Sequence, residues 1–329
     1  ERAATALRGG RKAALILAGR ALRAGALEAA GRIAAATGAA LLSQTAPRTA
    51  RGAGRTVAPR IPYAVEQAVA ALAGFEVAIC VGGGQPVAFF AYPGKPSRLL
   101  PPGCEVIELA GPGHDLDATL EALAGKVGAG PGAPFARGRL AQRDIPAPAG
   151  PLDADTVSIA VARALPQDAI VCDESITSGG RLAALAPSLP PHDHLMLTGG
   201  AIGIGIPLAA GAAIACPDRK VIALQADGSG MYTVQGLWTQ ARENLDIVTI
   251  VLANRAYAIL QGEMRNVGVN RFGRNASRML DLGDPALDWC ALANGMGVEA
   301  GRAETVEEFT ALLDAALSRR GPFLIEALI

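Results

Sequence analysis

Apolar, β-branched runs alternate along this chain with stretches whose apolar residues recur every three to four positions, the pattern of buried strands separated by helices. In the first part, residues 13–18, 39–42, 76–81 and 105–109 read as strands, and 22–37, 63–72 and 115–123 as helices. An arginine-rich polar loop is expected over 48–60, and the aromatic segment 87–96 reads as a packed loop. Residues 127–150, dense in glycine, proline and alanine, read as a linker. The alternation then resumes with a helix over 154–165 that Asp153 is placed to cap, a strand over 170–172, and an alanine-rich helix ending at Ala215. It continues with a strand over 221–226, a helix over 233–245 and a strand over 247–253. The last elements are a helix over 287–296, a strand over 298–300, a helix over 305–317 and a strand over 323–326, with a mobile loop expected over 268–279. Strands alternating with helices imply parallel sheets covered on both faces. The fold class is therefore α/β, with two doubly wound parallel-sheet domains, over 1–126 and 151–329.

Composition narrows the function. Half of the 329 residues are hydrophobic, enough for two sizeable cores, and 30 basic residues balance 30 acidic ones. Such a balance leaves no electrostatic footprint for nucleic acid or an anionic membrane. Five scattered cysteines without a Cys-x-x-Cys pair suit a reducing cytoplasm, and no apolar run has the length of a membrane span or of a signal-peptide core. The expected location is cytoplasmic.

The candidate chemistry lies between 221 and 257. Val234, Leu237, Trp238 and Ala241 fall on one helix face between two apolar strands, which makes one βαβ unit. Its parallel strands end on the same rim, so Asp227 and Asn254 should emerge side by side. A carboxylate and an amide oxygen there can take two positions of an octahedral Mg²⁺. Gly228 lets a phosphate approach the backbone, Ser229 can bind it, and the helix that follows aims N–H groups at it. Asp-Gly after a strand also reads as a simple turn.

These residues resemble the thiamine diphosphate enzymes, whose signature of Gly-Asp-Gly followed by Asn-Asn stands here as Ala226-Asp227-Gly228 and Ala253-Asn254. The resemblance implies Mg²⁺ ligation by Asp227, Asn254 and the Ala256 backbone carbonyl. It also implies an outer-phosphate site at Thr177 and Ser178, which by themselves read equally well as helix caps. The family's aminopyrimidine contact falls on the Gly200 carbonyl, and the bulky side chain that keeps the cofactor bent falls on Ile202. Tyr257 and Ile259, opening the helix after Asn254, complete the cofactor set. Two departures, alanine at 226 and at 253, remove neither metal ligand.

The resemblance covers essentially the whole chain, as a central domain over 1–126 and a diphosphate-binding domain over 151–329. It implies a carboligase of the acetolactate synthase branch acting on a 2-oxo acid, with a benzoylformate decarboxylase-like lyase as alternative. The family's N-terminal pyrimidine domain, which supplies an activating glutamate, has no counterpart before the central domain. The expectation is therefore a homo-oligomer that needs a pyrimidine domain, supplied by a partner chain or by a missing N-terminal segment. Glu263, where the family tends to carry an aromatic residue, leaves the substrate open. The glycines 82–84 follow a strand but lack a dinucleotide fingerprint, so FAD is possible and not favoured. The same lack argues against a nicotinamide dehydrogenase. A non-catalytic cofactor-binding fragment is the reading from another class. The run His192-Asp-His194, with no third ligand nearby, reads as a solvated loop.

Overall fold

The computed structural model describes residues 1–45 and 48–329 and divides into two compact units, Glu1–Arg139 and Leu140–Ile329. Among the described residues of the first unit, four parallel strands pair: β1 (Ala13–Leu17), β2 (Ala40–Ser43), β3 (Val77–Val81) and β4 (Glu105–Ala110), in the order β2-β1-β3-β4. Every residue of β1 and β3 is buried, which is why both read as unbroken apolar runs. Successive side chains point to opposite faces. Leu15 and Leu17 meet the helices Ala24–Thr37 and Leu116–Lys126 on one side, while Ala14 and Ile16 meet Val65–Leu72 on the other.

The glycines after β3 serve the backbone of this rim. Gly82 has φ 80°, its N–H donates to the Ala110 carbonyl, and a Cβ there would lie 2.2 Å from the Ala18 carbonyl oxygen. The Gln44 amide donates to the Gly84 carbonyl at 2.7 Å.

In the second unit six parallel strands, β5 (Ile170–Glu174), β6 (His192–Met196), β7 (Val221–Ala226), β8 (Ile247–Ala253), β9 (Glu299–Ala303) and β10 (Phe323–Leu328), run in the order β9-β10-β8-β7-β5-β6. Val171, Ile222, Leu224, Val248 and Ile250 face the helices Ala154–Ala164 and Val306–Ser318. Ile170, Cys172, Val221, Ala223 and Ile247 face the helix Gly205–Ala215. Further along that second face, Val251 and Leu324 pack on Leu237 and the fully buried Trp289. The helix ends follow their sequence signals: Asp153 and Thr305 each close a capping box with the residue three positions on.

Several expectations are corrected. The helix after β7 starts at once: Asp227–Gly230 is already a helical turn, followed by a tighter turn at Met231–Thr233 and the helix Gly236–Arg242. Gly230 is not a breaker there because it packs against Trp289, where a Cβ would come within 2.6 Å of the ring. A helix, Arg274–Leu280, occupies part of the expected 268–279 loop, and a short strand, Arg48–Arg51, opens the expected 48–60 loop. In the segment 87–96, Phe89 and Phe90 are exposed and meet edge to face at 4.8 Å between ring centres rather than lying packed away. His192 and His194 are not solvated: both are buried on β6, with His192 Nδ1 2.8 Å from the Pro190 carbonyl and His194 Nε2 3.2 Å from Asp173 Oδ2.

Candidate functional site

The second sheet changes direction between β5 and β7, because the chain leaves β5 for β6 on one side and returns to β7 on the other. In open parallel sheets the crevice beyond the carboxyl ends of the strands at such a reversal is where ligands bind. The residues that end β5, β7 and β8, or follow them directly, are Glu174, Asp227 and Asn254.

Asp227 is buried, and its carboxylate accepts from Gly228 N–H at 2.8 Å and from Arg255 N–H at 2.7 Å. The second bond joins the end of β7 to the residue after Asn254, so the two strand ends meet. Asn254 Oδ1 accepts from Ala256 N–H at 3.0 Å. Arg255 between them has φ 55°, a left-handed conformation that costs a non-glycine residue energy and persists where its surroundings hold it. Those surroundings are visible: Tyr257 N–H donates to the Leu280 carbonyl at 2.9 Å, and Leu282 N–H donates to the Arg255 carbonyl at 2.8 Å. The peptide that carries the Ala256 carbonyl is therefore pinned on both sides.

Burial, assisted by the charge of Glu326, pushes the Asp227 carboxyl above its ordinary value, and the N–H bonds from Arg255 and Gly228 offset this only in part. Among the described residues no lysine or arginine side chain pairs with it. A carboxylate, an amide oxygen and a backbone carbonyl at adjoining strand ends are the hard oxygen donors a divalent cation takes, and a buried carboxylate short of positive charge favours one further. The donor set fits Mg²⁺.

The remaining predicted residues take varied places. A Cβ on Gly228 would lie 2.5 Å from the Tyr257 ring and 3.0 Å from Leu282, so Tyr257 leans on the turn. Burial pushes the Tyr257 hydroxyl up, with Tyr232 and Asp227 adding to it. Ser229 is buried, donates to the Ala226 carbonyl at 3.2 Å and accepts from the Gln225 amide at 2.7 Å, so its hydroxyl is engaged with the sheet end. Thr177 is exposed and Ser178 half-buried, and neither caps the helix Gly180–Leu185, whose N-cap is Gly179. Gly200 has φ 69° and its carbonyl accepts from Ile202 N–H at 3.0 Å; Ile202 is 39% exposed and Ile259 38%. Bonds and contacts thus join Asp227, Gly228, Asn254, Ala256 and Tyr257. Among the described residues, hydrogen bonds do not tie Thr177, Ser178, Gly200, Ile202 or Ile259 to them.

Two residues escaped the sequence reading. Glu174, 1% exposed, accepts from Gly203 N–H and from Gly205 N–H, the latter at 2.5 Å. Gln225, fully buried, donates to Glu174 Oε2 at 3.2 Å. The available signal was a polar residue closing each of two buried apolar runs, where burial without partners is costly. On the opposite face of β5, Asp173 Oδ1 accepts from the Ser175 hydroxyl at 2.5 Å and Ser175 N–H at 3.0 Å. Burial acts to raise the Asp173 carboxyl, but His194 and Ser175 outweigh it and hold it down at about 2.

The family profile described as thiamine pyrophosphate enzyme, C-terminal TPP binding domain, matches residues 179–327. This stretch is a thiamine pyrophosphate enzyme C-terminal domain. Asp227, Asn254 and the Gly200–Ile202 segment all lie in that domain. Across 325 residues the chain is 46% identical to a Mycobacterium tuberculosis protein named for the acetolactate synthase large subunit, covering 98% of this chain and 62% of that one. It is 31% identical over 284 residues to the benzoylformate decarboxylase of Pseudomonas aeruginosa, covering 81% of this chain and 51% of the relative. Among solved structures, the thiamine diphosphate-dependent 4-hydroxybenzoylformate decarboxylase of Rhodococcus jostii superposes with a TM-score of 0.76 at 26% identity, covering 99% of this chain and 63% of the other. The chain therefore spans less than two thirds of the length of these relatives.

Proposed function

We propose that this chain is the C-terminal portion of a thiamine diphosphate-dependent 2-oxo acid carboligase of the acetolactate synthase kind. The observation that carries the proposal is the Asp227 carboxylate bonded to the backbone N–H of Arg255, the residue after Asn254, which joins the strand ends that carry the carboxylate and the amide side chain. Identity of 46% along nearly the whole chain supports the acetolactate synthase branch.

In this reading Asp227, Asn254 and the Ala256 carbonyl hold Mg²⁺, and Thr177, Ser178, Gly228 and Ser229 hold the diphosphate. The Gly200 carbonyl, which keeps a second lone pair beside its bond to Ile202 N–H, receives the aminopyrimidine. Ile202, Tyr257 and Ile259 flank the cofactor with apolar surface. Bound thiamine diphosphate supplies the nucleophilic carbon and the electron sink for carbon dioxide loss, while the protein orients and shields the reacting groups. Residues 1–126 serve as the central domain and 127–150 as the linker.

The reading carries further expectations: no flavin is required, and the enzyme works as a cytoplasmic homo-oligomer with a pyrimidine-binding domain completing the site. Exposed Tyr232 and Trp238, just after the Asp227 turn, support a covering chain there, and the free cysteines support a reducing compartment. Among the described residues no helix is long and apolar enough to cross a membrane.

Calorimetry with thiamine diphosphate tests the site. Binding should require Mg²⁺, vanish with EDTA and be lost in Asp227→Ala; equal affinity in all three sinks the assignment. A second reading, a benzoylformate decarboxylase-like lyase, is favoured by the superposition on the Rhodococcus jostii enzyme. Product analysis of the completed enzyme separates the two, since a lyase releases an aldehyde and a carboligase a branched hydroxy-oxo acid.

A further inference from the structure

Glu174 and Gln225 face each other in register on β5 and β7, on either side of the point where the sheet changes direction. Both point to the face covered by the helix Gly205–Ala215, since they continue the alternation of Cys172 and Ala223. Glu174 receives the N–H groups of Gly203 and Gly205, and Gln225 donates both to Glu174 and to the Ser229 hydroxyl. The Gly203 carbonyl accepts from the Thr233 hydroxyl at 2.6 Å. Gly203 itself has φ 88°, and a Cβ on it would lie 2.6 Å from Tyr232. A Cβ on Gly205 would lie 2.2 Å from Gln225 Oε1 and 3.0 Å from Glu174 Oε2. A buried carboxylate thus holds one peptide segment by two charge-assisted bonds, and the same network continues into the turn that begins at Asp227.

We propose that Glu174 is a positioning residue for cofactor binding: through Gln225 it fixes the Gly200–Ile202 segment relative to the Asp227–Gly230 turn. The two halves of the site, one for the pyrimidine ring and one for the diphosphate and metal, are held at a set spacing by the relay Gly203/Gly205, Glu174, Gln225, Ser229. Charge-assisted bonds in a dry site are the strong ones, and a side chain held by three donors has little freedom. Glu174 touches neither metal nor diphosphate in this arrangement. It acts on the segment that would receive the pyrimidine ring.

The inference rests on the thiamine diphosphate reading, and the test separates the two. Hydrogen exchange of the Gly203 and Gly205 amides is measured in the 329-residue chain and in Glu174→Gln, together with melting temperature and thiamine diphosphate affinity in Mg²⁺. Glutamine keeps the volume and one acceptor oxygen, so the sheet should stay intact while the two glycine amides exchange at least about tenfold faster, the loss of one charged hydrogen bond. The dissociation constant should rise about tenfold with little change in melting temperature, and Glu174→Met, with no acceptor, should weaken binding further. Gly205→Ala, which crowds Gln225 and keeps Glu174, should give the same faster exchange and weaker binding. Unchanged glycine exchange in Glu174→Gln overturns the proposal. So does faster exchange with unaltered affinity, or an affinity loss matched by a collapse in melting temperature. If the unsubstituted chain does not bind thiamine diphosphate at all, the functional reading falls, and glycine exchange alone then reports whether Glu174 latches the segment.

Discussion

Asp173 and Asp227 stand near the ends of neighbouring strands and lie on opposite sides of their ordinary proton affinity. Asp173 is held down at about 2, so its contribution to stability is fully present above the ordinary value of 3.8 and is lost as pH falls through 2. Asp173→Asn should therefore cost about 2–3 kcal/mol at pH 7, the free energy that a fall from 3.8 to about 2 represents, and the gap to the parent should close between pH 4 and 2. Urea denaturation across that window measures it. Asp227 runs the other way. Its raised value means that stability is fully present below 3.8 and is lost as pH rises through the folded-state value, so the ionised carboxylate weighs against the fold at neutral pH. Asp227→Asn removes the charge but turns its NH2 group towards one of the two N–H donors, so in EDTA it should fall short of the parent's melting temperature by less at pH 7 than at pH 3, where the parent carboxyl is protonated. The same variant should lose Mg²⁺-dependent cofactor binding. A shortfall at pH 7 as large as that at pH 3, or larger, would show that the carboxylate's bonds to Gly228 and Arg255 outweigh its burial.

Helices and strands carry a plainer energetics. Thr305 caps the helix Val306–Ser318 and closes a box with Glu308, and Phe309 and Leu313 bury that helix against the sheet. Thr305→Ala should cost about 1 kcal/mol by urea denaturation and leave cofactor affinity unchanged, since the cap lies at the start of a helix that only supports the sheet. Such elements were legible in the sequence because one local force sets each: β1, β3 and β8 are buried along their whole length and read as apolar runs, and the Asp153 cap has its partner three residues on. The adjacency of Asp227 and Asn254 was legible because a crossover between parallel strands fixes where both end. What escaped depends on contacts distant in sequence. The segment His192-Asp-His194 is polar, yet it is strand because Asp173, on the neighbouring strand, accepts the His194 ring. The turn at Asp227 looked like an ordinary Asp-Gly turn because Trp289, which makes Gly230 a packed helical residue, lies far along the chain. Glu174 and Gln225 passed as strand ends for the same reason: their partners are backbone amides and a side chain that meet only in the folded sheet.

At the scale of the whole molecule, the 329 residues span 62% of the Mycobacterium tuberculosis relative, and the proposed site needs a carboxylate facing the pyrimidine nitrogen. Glu174 is already committed to Gly203 and Gly205, so it is not free for that task. The 329-residue chain with thiamine diphosphate and Mg²⁺ should therefore release carbon dioxide from pyruvate or benzoylformate near background, with about 10²–10⁴-fold regained when a pyrimidine domain is supplied. Ordinary turnover by the chain alone would point to an activating group within it. Purified protein should also be colourless; a stoichiometric flavin absorbance, lost together with thermal stability, would assign the first unit a cofactor role.

The contact of Gly205 with Gln225 and Glu174 reaches beyond this one protein. A side chain at 205 has no room while a glutamine stands at 225, and a shorter residue at 225 takes away one of the three donors that hold the glutamate at 174. No single replacement among the three is neutral, so drift at these positions must proceed in concert. Across homologous sequences, positions 174, 205 and 225 should vary as a set: a lineage that abandons glutamate at 174 should also have altered 225, and should tolerate a methyl group where this chain has only hydrogen.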